Sequence, residues 1–141
     1  MKDPADVIRD WIYTALNGNV SYGGSAVAVY SFPGKDASMP YILIGEHYMT
    51  GEQGTKDAYI NEHEIMIEIY TSSTGNRASY DSANSISNSV IQLLRTRTQP
   101  TLTGYNCISL LVDNMVTDRI TTDTNIIIYK SIQLRLLVEE S

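Results

Sequence analysis

Hydrophobic residues recur at two different periods along the chain, and the switches between those periods mark the elements. From Asp3 to Leu16 the apolar residues Ile8, Trp11, Ile12, Ala15 and Leu16 fall three and four apart, while Arg9, Asp10 and Thr14 take the other side. Asp3 is an N-cap residue, Pro4 suits the first helical position, and Asn17-Gly18 is a stop, so this is an amphipathic helix. Covering its four large apolar side chains contributes about 6–12 kcal/mol before ordering costs, enough to dock it on a sheet. Trp11 therefore reads as core.

A Gly, Asn and Ser-rich loop follows from Asn17 to Ser25, in which Gly23-Gly24 makes a turn. Ala26 to Phe32 then reads as a short strand ended by Pro33-Gly34. Pro40 to Tyr48 reads as a second strand, with Ile42 and Ile44 on one face and Tyr41 and Leu43 on the other. Met49 to Ala58 has no apolar period and is expected to be an exposed hairpin loop. Tyr59 to Thr71 alternates strictly, placing Ile65, Ile67 and Ile69 on one face and Glu64, Met66, Glu68 and Tyr70 on the other.

After a turn from Ser72 to Asn76, the helical period returns within about Ala78 to Thr96 through Ala83, Ile86, Val90, Leu93 and Leu94. The opposite side of that helix is Ser82, Ser85, Asn88 and Ser89, a polar but uncharged face that a neighbouring chain could cover. Pro100 and Gly104 close the region. Tyr105 to Thr117 and Asn125 to Glu139 read as two more strands joined by the polar stretch Asp118 to Thr124. The order of elements predicts an α+β fold over 1–141, a single unit with a mostly antiparallel sheet of four to five strands and two helices packed on one face.

Composition narrows the function classes. The chain has 141 residues and a net charge of −6, the wrong sign for a protein that gains affinity by neutralising phosphates. Cys107 is the lone cysteine, which excludes an intrachain disulfide and a Cys-rich zinc site. The charged start (Lys2, Asp3, Asp6, Arg9, Asp10) lacks the apolar run of a secretory signal, so folding in the cytosol is expected. Ten Tyr against one Phe and one Trp suit a sheet or interface whose edges stay polar.

Candidate chemistry is sparse. His63-Glu64 opens like a zinc-protease helix, but four residues after His63 stands Ile67, in a strand pattern. His47 and His63 could meet across a hairpin and, with Glu46 or Glu62, hold a metal; solvated polar positions on a sheet explain the same residues more simply. Glu62, Glu64 and Glu68 could pair for acid and base work, yet alternation accounts for them as a strand's outer face. No nucleophile elbow, phosphate loop or dinucleotide fingerprint occurs, and Cys107 beside Ile108 reads as buried and inert. Catalytic residues and cofactors are therefore expected to be none. A Ser and Asn helix face, a Glu, Met and Tyr strand face and a long loop together point to protein contacts on several sides, the pattern of a ring subunit.

The order of motifs resembles the tail terminator, or tail completion, proteins that join tail to head in long-tailed bacteriophages. Val29-Tyr30 before Phe32-Pro33, the run Pro40-Tyr41-Ile42-Leu43-Ile44-Gly45, and Ile67-Glu68-Ile69-Tyr70-Thr71 leading to Gly75 carry the likeness, with the helix ending Ile91-Gln92-Leu93-Leu94. They span about half the chain in the family's order. The resemblance implies a non-enzymatic virion protein, made in the host cytoplasm, that forms a homo-oligomeric ring, commonly a hexamer. Such a ring caps the tail tube, stops its polymerisation, and presents a surface to the neck or connector (stopper) protein, with DNA passing through the lumen. Six copies would carry a charge of about −36, which keeps phosphate from sticking. Interface candidates are Glu52, Lys56 and Asp57 in the loop, reaching a neighbour or the tube protein, and Glu64, Glu68 and Arg135 as intersubunit ion pairs or lumen lining. Rival readings are another neck protein, such as a head completion or stopper subunit, a small hydrolase using His47 and His63, and a monomeric binding domain.

Overall fold

The computed structural model describes residues 2–31, 37–52, 59–73, 80–123 and 125–141. Its elements are α1 (Ala5–Leu16), β1 (Ser21–Tyr22), β2 (Ser25–Ala26), β3 (Ala28–Tyr30), β4 (Tyr41–Glu52), β5 (Ile60–Ser73), α2 (Asp81–Leu94), β6 (Thr101–Leu102), β7 (Tyr105–Thr121) and β8 (Ile126–Glu140). Together they make an α+β fold. The main sheet has six strands in the order β3-β4-β5-β8-β7-β6, and β1 and β2 form a separate two-stranded ribbon.

The expected four to five antiparallel strands need correction. The sheet is mixed, because β3 runs parallel to β4, with Ala28 opposite Tyr41 and Tyr30 opposite Leu43. β6 adds a further short strand against Tyr105 and Asn106. Strand directions and pairings across a loop depend on contacts between distant residues, so periodicity alone does not reveal them.

Both helices cover one face. Ile8, Ile12 and Leu16 of α1 and Ile86, Val90 and Leu94 of α2 are buried against Ile42, Ile44, Ile65, Ile67, Ile69, Ile132, Leu134 and Leu136. The predicted alternation of β5 holds from Asn61 to Thr71, where buried and half-buried residues take turns. Trp11 packs half-buried against this core. Pro4, one position earlier than expected, holds the cap of α1, and Asp3 Oδ1 accepts the Ala5 N–H at 2.9 Å.

Element bounds differ from expectation in instructive ways. The segment read as a loop from Asn17 to Ser25 holds β1 and the first residue of β2, and the strand expected over Ala26 to Phe32 is divided between Ala26 in β2 and Ala28–Tyr30 in β3, with Phe32 outside the described residues. Of the loop expected from Met49 to Ala58, Met49 to Glu52 belong to β4 and 53–58, with Lys56 and Asp57, lie outside the described residues. Ser72 and Ser73 belong to β5 and not to a turn. α2 is shorter than the predicted helix at its C-terminal end, where Arg95 is the cap. Asp118 to Thr121, expected in a polar connection, extend β7 against Tyr129 to Ile126 of β8.

β4 carries a bulge that alternation does not foretell. Ile44 faces Ile67 and His47 faces Ile65, so three residues of β4 span two of β5. Gly45 sits in this bulge, and a Cβ there would lie 2.9 Å from Glu68 Oε2 and 3.3 Å from the Met66 carbonyl. Arg9 of α1 donates from Nη2 to the Ile44 carbonyl at 2.7 Å and from Nη1 to the Gly45 carbonyl at 2.8 Å. The extra residue turns His47, in place of Glu46, toward the helix side.

Candidate functional site: the bare sheet face and its edges

The face of the sheet opposite the helices has no covering layer among the described residues. Following the register across β5, β8 and β7, it presents Glu62, Glu64, Glu68, Glu139, Asp118 and the bulge residue Asp113, with Arg135 as the cation among the described residues. Three of the six predicted interface residues, Glu64, Glu68 and Arg135, therefore share one surface. Glu52 stands exposed at the end of β4.

Glu64 and Arg135 are cross-strand partners. Arg135 Nη2 lies 2.8 Å from Asp113 Oδ1, and its Nε lies 3.1 Å from Glu62 Oε1 and 3.7 Å from Glu64 Oε1. That Nε–H is not aligned on either glutamate, so both are charge contacts and not hydrogen bonds. Gln133 Nε2 donates to Glu64 Oε2 at 2.7 Å. One guanidinium among three carboxylates leaves the patch negative, and with the Arg135 side chain 41% exposed each contact is worth no more than about 1 kcal/mol.

Tyrosines cross the same sheet as a ladder. Tyr30 meets Tyr41 edge-on at 5.8 Å between ring centroids, Tyr41 stacks on Tyr70 at 5.0 Å, and Tyr70 tilts against Tyr129 at 5.1 Å. Tyr129 donates its hydroxyl to Glu68 Oε1 at 2.7 Å; burial first, then that carboxylate, push the phenol up to about 12. Glu68 is thus held within its own subunit. The ladder explains the Tyr skew: half-buried rings stabilise the sheet while their hydroxyls stay near water.

On the helix side, His47 and His63 do meet, His47 Nε2 to His63 Nδ1 at 3.0 Å. The simpler sequence reading, solvated positions, is corrected: His63 is 2% exposed because it lies on the core face of β5. Burial, then the charges of His63 and Arg9, lower His47 to about 4, with Asp3 acting the other way. Burial also lowers His63, again against Asp3. His47 Nδ1, His63 Nε2 and the Asn61 Oδ1 atom have no hydrogen-bond partner among the described residues. Neither Glu46 nor Glu62 joins the pair: Glu46 is exposed in the bulge and Glu62 lies on the opposite face. Among the described residues, no three His, Cys, Asp or Glu side chains come together to hold a metal.

Cys107 is half-buried, and burial pushes its thiol up to about 11 against a backbone contact with Ser109. A protonated thiol is a poor nucleophile. A groove of about 420 Å³ between α1 and β6, lined by Val7, Asp10, Trp11, Thr14, Thr101 and Thr103, contains neither histidine nor the cysteine. The Ser and Asn side of α2 leaves Asn84, Ser85 and Asn88 exposed.

Two open edges escaped the sequence reading. Among the described residues, β6 covers only the first two residues of β7, and all of 113–121 is exposed. Among the described residues, β3 covers β4 only from Tyr41 to Leu43. The signal was present in the mixture of Ile108, Leu111, Met115, Val116 and Ile120 within one strand, with apolar residues on both faces.

No protein-family model and no curated protein sequence matches the chain. Among solved structures, a chain from the virion of a native gene transfer agent particle shares the fold, with a TM-score of 0.73 and 18% sequence identity. The similarity covers 99% of this chain and 99% of that one.

Proposed function

We propose that this chain is a structural virion protein of a long-tailed phage or phage-like particle, a tail-terminator-like domain over 1–141 without enzymatic activity. Its copies form a ring, a hexamer by resemblance to that family, which caps the tail tube, stops its growth and joins it to the neck or stopper protein. The observation that carries this reading is the shared fold over the whole length of a virion chain. The motif order of the sequence supports the finer placement at the tail end.

The acidic bare face supports a DNA passage. Turned inward, Glu62, Glu64, Glu68 and Asp118 would repel phosphate, so DNA would slide without adhering. Because Arg135 is occupied by Asp113 and Glu68 by Tyr129 within the subunit, lumen lining suits Glu64, Glu68 and Arg135 better than intersubunit pairing. Glu52, Lys56 and Asp57 remain the proposed contacts with a neighbour or the tube protein.

The test is to add purified protein to growing tail tubes and follow tube length and ends by electron microscopy. Rings seated on tube ends and arrested growth are expected. Tubes that elongate past a molar excess of the protein would overturn the reading; rings that bind the connector and ignore tubes would move the protein to another joint of the neck.

A further inference from the structure

The two long sides of the sheet are unfinished in complementary ways. On one side, β7 has no strand partner beyond Asn106 among the described residues, and Ile108, Leu111, Met115, Val116 and Ile120 are 40–49% exposed along it. Leu111, Val116 and Ile120 share the bare face, while Met115, opposite the buried Ile132, is on the helix side. A long, exposed and apolar edge with free backbone groups pairs with another strand unless something blocks it. On the other side, β4 beyond Leu43 has no second strand partner among the described residues, and there Tyr48 is 46% and Met49 is 49% exposed.

The polarity of the edges permits them to meet. β4, β5, β8 and β7 are antiparallel to their neighbours in turn, so β7 runs opposite to β4. A second copy set beside the first at the same level continues the sheet with an antiparallel step. At that level, the registers within each copy give the partners. Tyr48 stands opposite Glu64, Glu64 opposite Arg135, and Arg135 opposite Leu111, while Glu52 leads through Asn61 and Val138 to Cys107. Leu111 of one copy therefore falls beside Tyr48 of the next, and Ile108 falls near Gly51 and Glu52.

Charge agrees with the same docking. Arg95 and Arg97 are exposed just beyond α2, on the side where Gln99 Nε2 donates to the Ile108 carbonyl at 3.4 Å. Glu46 and Glu52 are exposed on β4. None of these four residues has an ion pair among the described residues, and the arginines lie at the sheet end that carries Glu52. Pairing β7 with β7 across a two-fold axis would instead leave Tyr48, Met49, Glu46 and Glu52 uncovered.

We propose that neighbouring copies of this chain join head to tail by β-augmentation, the β7 edge of one pairing antiparallel with the β4 edge of the next between Ile108 and Leu111 on one side and Tyr48 and Glu52 on the other. This deepens the ring reading above by naming where subunits meet. It places the helices on one surface of the continuous sheet and the acidic face on the other.

The experiment uses two single variants, Leu111→Cys and Tyr48→Cys, each in a Cys107→Ser background. Both positions are exposed, and circular dichroism checks that each variant folds. Oxidation of the mixture, free and on tail tubes, is expected to give covalent dimers containing one of each variant, with neither variant linking to itself; cross-strand neighbours are close enough for a disulfide after small adjustment. Glu52→Arg should lower the yield at least about fivefold, and Arg95→Glu with Arg97→Glu on the partner should restore it. No cross-linking in the mixture under either condition, or self-linking as strong as cross-linking, overturns the proposal. Capped tubes without cross-links would refute the edge pairing alone; cross-links without capping would refute the tail-end role alone.

Discussion

Acid should weaken this protein above the range where its carboxylates titrate, and the reason is local. His47 and His63 are the chain's two histidines, and they face each other at 3.0 Å beneath α1. Burial and the nearby charges of His63 and Arg9 hold His47 at about 4, against 6.5 unfolded, while Asp3 pulls the other way. A depressed folded-state value means that the unfolded chain takes up the proton first. The stabilisation is complete above pH 6.5 and is lost as the pH falls toward 4. Between pH 7.0 and 5.5 the loss from His47 is about 1.2 kcal/mol, limited by protonation of the unfolded chain. Even if solvent screening of the partly exposed ring halves the shift, about 1 kcal/mol remains. His63 adds to it in the same direction. Urea unfolding at the two pH values measures this directly: the wild-type midpoint should fall by roughly 0.5–1 M, and that of His47→Gln by clearly less. Equal changes in wild type and variant, or a wild type more stable at pH 5.5, would refute the argument.

Other outcomes follow from single contacts. Ile67→Ala empties a fully buried site under both helices and should cost about 3–5 kcal/mol, whereas Met66→Ala on the bare face should cost well under half of that; equal losses in urea unfolding would mean that the faces are misassigned. Arg9→Met removes a guanidinium that satisfies two bulge carbonyls and should cost about 2–4 kcal/mol, with Arg9→Lys recovering part and the His47 titration moving upward by NMR. Cys107, its thiol raised to about 11, should react with a disulfide reagent at pH 8 at least about tenfold more slowly than the unfolded chain does; equal rates would place it in solvent.

Much of the molecule was legible in the order of its residues. The strict alternation from Asn61 to Thr71 and the three-and-four spacing from Ile8 to Leu16 depend on which face each side chain presents, a property of one segment, and both held in the structure. The pairing of Glu64 with Arg135 across the acidic face was nearly visible, since both residues belonged to outward positions of predicted strands. Burial of His63 was legible too, in step with Ile65, Ile67 and Ile69, but that of His47 was not, because the bulge at Gly45 puts it on the helix side in place of Glu46. The clue was local: a charged Glu46 falling on a core position just after a glycine.

What the sequence determined by itself is therefore what a segment can decide alone: helix or strand, inward or outward face, the acidic balance, and the lack of a nucleophile motif. Only the tertiary structure decided that β3 runs parallel to β4, that β7 outruns its cover, and that the tyrosines line up across the sheet. Those depend on register and strand order, which are settled by contacts between residues far apart in the chain and by whichever backbone edges the fold leaves unpaired.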